Sequence, residues 1–187
     1  MTRGHNYLGG FIGSAETKDL WVGDKISVWT AAVETLSKIA LKWPQTAYTG
    51  FTFVLQNEWQ YVQRVVAGIG FLFAPLERMI RDHFLPSLLG IPACEIDGEY
   101  RTLLSHSVKT GGMAVRNPLE TAEFVHDTSK TMTRHLVASL VERNTPFDPS
   151  EHRSTVAQAS TGARRDRLAR ERMLHSAALI DRKSSTM

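Results

Sequence analysis

Val22-Gly23-Asp24-Lys25-Ile26-Ser27-Val28-Trp29-Thr30-Ala31-Ala32-Val33-Glu34-Thr35-Leu36-Ser37-Lys38-Ile39-Ala40-Leu41-Lys42-Trp43-Pro44 decides the fold class. Its apolar residues Val22, Ile26, Trp29, Val33, Leu36, Ala40 and Trp43 recur at steps of 4, 3, 4, 3, 4 and 3. That period places all seven on one face of a helix. Pro44 cannot continue the helix and ends it. Trp29 and Trp43 are therefore expected in the core.

Downstream, Ala47, Phe51, Val54, Leu55, Val62 and Val66 carry a second apolar stripe that stops at Gly68 and Gly70, and this helix should pack antiparallel to the first. Trp59 and Tyr61 fall beside Gln60 and Gln63, so they are read as surface aromatics. Pro75 opens a third helix, Leu76, Met79, Ile80 and Phe84 give it an apolar face, and Pro86 and Gly90 close it. Tyr100 to Val108 predicts a short helix running into Gly111-Gly112, followed by a brief extended piece at Met113-Ala114-Val115. Asn117, Pro118 and Glu120 form a capping signature for a long helix that Asn144, Pro146 and Pro149 end. Ser150 to Lys183 reads as a polar helix, weakest at Gly162 and extending away from the core. Upstream, Tyr7-Leu8-Gly9-Gly10-Phe11-Ile12-Gly13 is short, aromatic and glycine-punctuated, which suits a hairpin. The expected fold is mainly α: a bundle of about five helices with a short N-terminal β-hairpin and an extended C-terminal helix. Its segments are a hairpin over 1-16, a bundle over 17-145 and a basic helical tail over 146-187.

The 187 residues are 42% hydrophobic and 22% charged, a globular composition long enough to bury a core without disulfides or metal. Cys94 is the only cysteine, read as a structural thiol in a reducing compartment. The residues after Met1 offer no apolar core for a secretory signal, and Val62 to Leu76 is too short and interrupted to span a bilayer. An intracellular setting, cytoplasmic or nuclear, without membrane contact is expected. Net charge is +3, unevenly spread: residues 1–150 hold 14 Lys/Arg against 15 Asp/Glu, and residues 151–187 hold 8 against 4. A basic tail on a neutral body favours a polyanionic partner.

Candidate chemistry is sparse. The histidines show no pair at i, i+3 or i, i+4 and none neighbours a cysteine at ligand spacing, so no metal and no cofactor are expected. Ser105-His106-Ser107 and His126-Asp127 contain triad letters, but a triad is made by geometry across the fold and adjacency carries no weight. Gly9-Gly10-Phe11-Ile12-Gly13 lacks the order and the Lys-Ser/Thr of a phosphate loop and reads as a tight turn. The strongest interaction signal is Arg164-Arg165-Asp166-Arg167-Leu168-Ala169-Arg170-Glu171-Arg172, with five arginines in nine residues of one helix. It is either a phosphate-gripping surface or a solvated helix face partly neutralised by Asp166 and Glu171.

Three segments resemble one family. Tyr7-Leu8-Gly9-Gly10-Phe11-Ile12-Gly13 is similar to the Y-L-G hairpin at the palm-thumb junction of non-LTR-type retroelement reverse transcriptases. Trp43-Pro44-Gln45-Thr46-Ala47-Tyr48 with Leu55-Gln56-Asn57-Glu58-Trp59-Gln60-Tyr61 resembles the helical region that follows it. Gly111-Gly112-Met113-Ala114-Val115-Arg116-Asn117-Pro118 resembles the G-G-L-G-I-x-x-P turn found after the thumb. The resemblance implies a non-catalytic thumb and connection region that holds an RNA or DNA template-primer for a palm domain supplied elsewhere. Its candidate contacts are Tyr7, Gly9, Trp59, Tyr61, Arg64, Arg164, Arg165 and Arg167. No tyrosine or phenylalanine precedes an Asp-Asp pair, so this chain alone is expected to be no enzyme, because polymerisation needs carboxylates on two metal ions. The rival readings are a helical protein-interaction module and, more remotely, a hydrolase whose residues meet only in the fold.

Overall fold

The structure, a computed structural model, describes residues 4–141 and 147–184, with side chains as far as 174. It is mainly α, with one two-stranded antiparallel sheet. Strands β1 (His5–Tyr7) and β2 (Gly10–Ile12) pair in the register His5 with Ile12 and Tyr7 with Gly10. Their turn is Leu8-Gly9, with φ of 46° and 78°. Positive φ at both turn residues matches the twist of a tight hairpin, and Gly9 adopts it at no steric cost.

Helix α1 (Ala15–Ala40) begins at Ser14, whose hydroxyl accepts from the Thr17 amide. It buries Val22, Ile26, Trp29, Val33, Ser37 and Ala40, and Leu36 is half-buried. The stripe stops there. Because α1 ends at Ala40, Trp43 leaves the inward face and is 57% exposed, with Lys42 over its ring at 5.2 Å. The expectation of a core Trp43 is thereby overturned.

Helices α2 (Pro44–Thr49) and α3 (Gln56–Val65) form one rod, joined by a π-helical turn over Gly50–Leu55. Ala47, Phe51, Leu55, Trp59, Val62 and Val66 are buried along it. Three successive steps of four drift about 40° each on a regular α-helix, which would rotate Trp59 off the core. The wider π turn absorbs the drift. Trp59 is consequently 0% exposed, packed edge-on to Phe51 at 5.5 Å and Trp29 at 6.2 Å, whereas Val54 faces out. Both the surface reading of Trp59 and the core reading of Val54 are overturned.

A 3-10 turn (Gly70–Phe73) leads into α4 (Ala74–Met79), a second π-helical turn (Ile80–Phe84) and α5 (Leu85–Leu89). Pro86 lies within this rod because the π turn relaxes the backbone where proline withholds its amide. Gly90, with φ of 68°, ends it. Phe51 and Phe84, one from each π turn, stack at 4.5 Å. Short turns carry the chain to α6 (Gly98–Ser105), capped by Asp97, whose carboxylate accepts from the Tyr100 amide at 2.7 Å. Cys94 is exposed and not a core thiol.

Helix α7 (Pro118–Val141) packs on α3, with Asn117 Oδ1 accepting from the Leu119 amide at its start. Asn144 and Pro146, expected to close it, lie outside the described residues. Helix α8 (Pro149–Ser184) does not extend away from the core as expected. It returns antiparallel along α7, with His135 and Glu151 3.5 Å apart at one end and Glu171 bonded to the loop before α7 at the other. Among the described residues, no helix is long and apolar enough to cross a membrane.

Candidate functional site

A buried ion pair builds the site. Arg101 of α6 donates to both carboxylate oxygens of Glu77 in α4, at 2.6 and 2.8 Å. A bidentate pair of this kind fixes orientation as well as charge. Burial pushes the Glu77 carboxyl above its ordinary value, against the pull of Arg101. The guanidinium also donates to the Val115 carbonyl at 2.8 Å and the Arg116 carbonyl at 3.3 Å, so it pins the strap that runs from Gly112 to Pro118.

Glutamines of α3 hold the same strap from below. Gln56 donates to the Ala114 carbonyl at 3.2 Å and accepts from the Arg116 amide at 2.9 Å, while Gln63 donates to the Pro118 carbonyl at 2.8 Å. Tyr48 adds a bond to the Met113 carbonyl at 2.7 Å. Amide side chains match backbone groups because each offers a donor and an acceptor. A Cβ at Gly112 would overlap the His106 carbonyl, and Ala114 sits at φ 55°. Ala114 occupies the third-glycine position of the G-G-L-G pattern, and its left-handed backbone shows why a glycine suits it.

The strap, the start of α7 and the inner face of α8 enclose a cleft of about 180 Å³ lined by Arg116, Arg167, Arg170, Glu120, Asp166 and Glu171, among others. The Arg116 guanidinium is half-buried, donates to Gln60 Oε1 at 3.3 Å and makes no ion pair among the described residues. Burial and then the neighbouring Arg167 pull its pKa below the ordinary guanidinium value; the Glu171 carboxylate opposes them, and Arg64 acts in the same sense as Arg167. Glu171 is engaged otherwise: its Oε2 accepts from the Ser107 amide at 3.2 Å, the Ser107 hydroxyl at 2.9 Å and the Thr110 hydroxyl at 2.7 Å. Its Oε1 lies 3.6 Å from Arg167. Burial works to raise the Glu171 carboxyl, but the bonds from Thr110 and Ser107, with Arg167, hold it below its ordinary value.

The arginine run of α8 is thus divided by its own helix. Arg167 and Arg170 face the cleft; Arg164, Arg165 and Arg172 line the outer side beside Leu168. Of the other expected contacts, Tyr7 is exposed on the hairpin, and Tyr61, 44% exposed, donates its hydroxyl to the Leu8 carbonyl and packs under Gly9. Phe11 stacks on Trp21 at 5.5 Å, fixing the hairpin to α1 as well. Tyr7, Gly9 and Tyr61 therefore belong together, with Arg64 exposed one turn along α3. Trp59 belongs to none of this, being core. Arg116 and the α3 glutamines were not among the expected contacts, and Arg170 and Glu171 were expected only as members of the arginine run; only the motif around Gly111 to Pro118 signalled the strap. Among the described residues, no group of His, Cys, Asp or Glu could hold a metal ion. No protein-family model, curated protein or solved structure matches the chain.

Proposed function

We propose that this chain grips a nucleic-acid template-primer by its backbone and does no chemistry on it, as the C-terminal, thumb-like part of a retroelement reverse transcriptase. The observation that carries the reading is Arg116, half-buried and in no ion pair among the described residues, with Arg64 and Arg167 as cationic neighbours that Glu171 only partly offsets. A guanidinium so placed is relieved by an anion, and phosphates positioned by arginine convey no base information. The catalytic carboxylates would come from a palm domain elsewhere, because the sequence holds no adjacent aspartates. A protein-interaction module is the second reading, supported by the exposed Leu41, Trp43 and Phe53.

Fluorescence anisotropy with a primed RNA or DNA template, across a salt series, separates the two. Replacing Arg64, Arg116 and Arg170 together by Gln should weaken binding to all sequences alike. Loss of about three phosphate contacts should flatten the slope of log affinity against log salt by roughly 2 to 3. Unchanged affinity and slope would leave the interaction module standing.

A further inference from the structure

The contact that anchors α8 has the form of an oxyanion site. Three donors converge on one oxygen, Glu171 Oε2: the Ser107 amide, the Ser107 hydroxyl and the Thr110 hydroxyl. They do not depend on α8 for their placement. The loop that bears them closes on itself, with the Thr110 and Gly112 amides both donating to the Ser107 carbonyl at 3.0 Å, and Gly111 at φ 84° turns the chain back. The Ala114 amide then donates to the His106 carbonyl at 2.7 Å, tying the loop to the strap that carries Arg116. Preset donors of this kind bind an oxyanion without having to reorganise.

The carboxylate does not use everything the cleft offers. Glu171 meets the three donors and Arg167, but forms no ion pair with Arg116 or with Arg170 among the described residues. The other acids lining the cleft do not pair with them either: Asp166 pairs with Arg165 at 3.8 Å, and Glu120, exposed at the start of α7, forms no ion pair among the described residues. A phosphate has more acceptor oxygens than a carboxylate, so it can fill the cradle and reach a guanidinium as well.

We propose that Ser107, Thr110, Arg116 and Arg167 form a phosphate site that Glu171 occupies from within the chain. A phosphodiester entering the cleft displaces Glu171 and frees α8 from the loop, so α8 is an internal competitor of the ligand. The assignment of the ligand to a nucleic-acid strand rests on the function proposed above; the cradle itself requires only phosphate chemistry.

The test follows the Ser107 and Thr110 amides of the full chain by NMR during titration with inorganic phosphate, and separately with a single-stranded oligonucleotide. Glu171→Gln should bind phosphate about tenfold more tightly than the unaltered chain, and adding Thr110→Val should cancel the gain. On the unaltered chain, saturating phosphate should speed tryptic cleavage after Arg167 and Arg170, which covers the case of a variant that fails to fold. Equal phosphate affinity in both chains, or unchanged cleavage, overturns the proposal even if the oligonucleotide binds. Tighter phosphate binding by Glu171→Gln without any oligonucleotide binding keeps the cradle and removes the nucleic-acid reading.

Discussion

Arg101→Met should be among the most damaging single changes in the body of the protein. Arg101 is 4% exposed, holds Glu77 by two bonds and satisfies two carbonyls of the strap. Removing one partner of a buried pair costs about 3 to 5 kcal/mol, because the other charge is left uncompensated. For a chain of this size that lowers the melting temperature by roughly 10 °C. The pH dependence has a definite sign. Burial already raises the Glu77 carboxyl above its ordinary 4.5, and losing Arg101 removes the strongest of the influences that lower it. A carboxyl whose folded pKa is raised contributes stability below its unfolded pKa and loses it as pH rises through the folded value. The cost of Arg101→Met, measured against the unaltered chain by urea denaturation, should therefore shrink as pH falls from 7 toward 5. The pairing argument is refuted by a cost under about 1 kcal/mol, or by one that grows on acidification.

Three further outcomes are expected. Ala114→Gly should stabilise by about 0.5 kcal/mol, since relief of a left-handed alanine (about 1 kcal/mol) outweighs the added freedom of the unfolded chain; thermal melting reads the gain. Trp59→Ala should cost about 3 to 5 kcal/mol and Trp43→Ala under about 0.5, a contrast that equilibrium denaturation resolves because one ring is buried and the other exposed. The Glu171 anchor has the opposite pH sense to Glu77: its lowered pKa supplies stability above the ordinary 4.5 that is lost as pH falls through the folded value. Protection of α8 amides against hydrogen exchange, taken relative to the intrinsic rate at each pH, should fall below about pH 4.5 in the unaltered chain and change less in Glu171→Gln.

The helices were legible because each carries its own periodic signal: the α1 stripe, the Pro75 opening and the Asn117-Pro118 start all appear where spacing put them. The tryptophan errors have local causes. Period reasoning assumes a constant advance per residue, and the π turn at Gly50–Leu55 breaks that assumption between Phe51 and Trp59. Trp43 failed differently, because the steps of three and four continue past the last residue that is helical. Proline at 44 marks where the next helix begins, and the first one had already ended.

The cleft was invisible for a deeper reason. Its partners lie far apart in sequence, and none belongs to a periodic stripe: Gln56 meets Arg116, Glu77 meets Arg101, and Ser107 meets Glu171. In the sequence, Gln56, Gln60 and Gln63 look like the polar face of an amphipathic helix. In the fold all three are buried, because a strap without regular secondary structure crosses that face and its backbone groups must be satisfied there. The charge count misled in the same way. Five arginines in nine residues suggested one surface, but a helix turns about 100° per residue and sends Arg167 and Arg170 inward while Arg164 and Arg165 point out. What selects the inner pair as functional candidates is the company of Arg116, a residue outside the cluster that no count of tail charge includes. The consequence for binding is specific: removing charge from the outer face should cost less affinity than removing the same charge from the inner face.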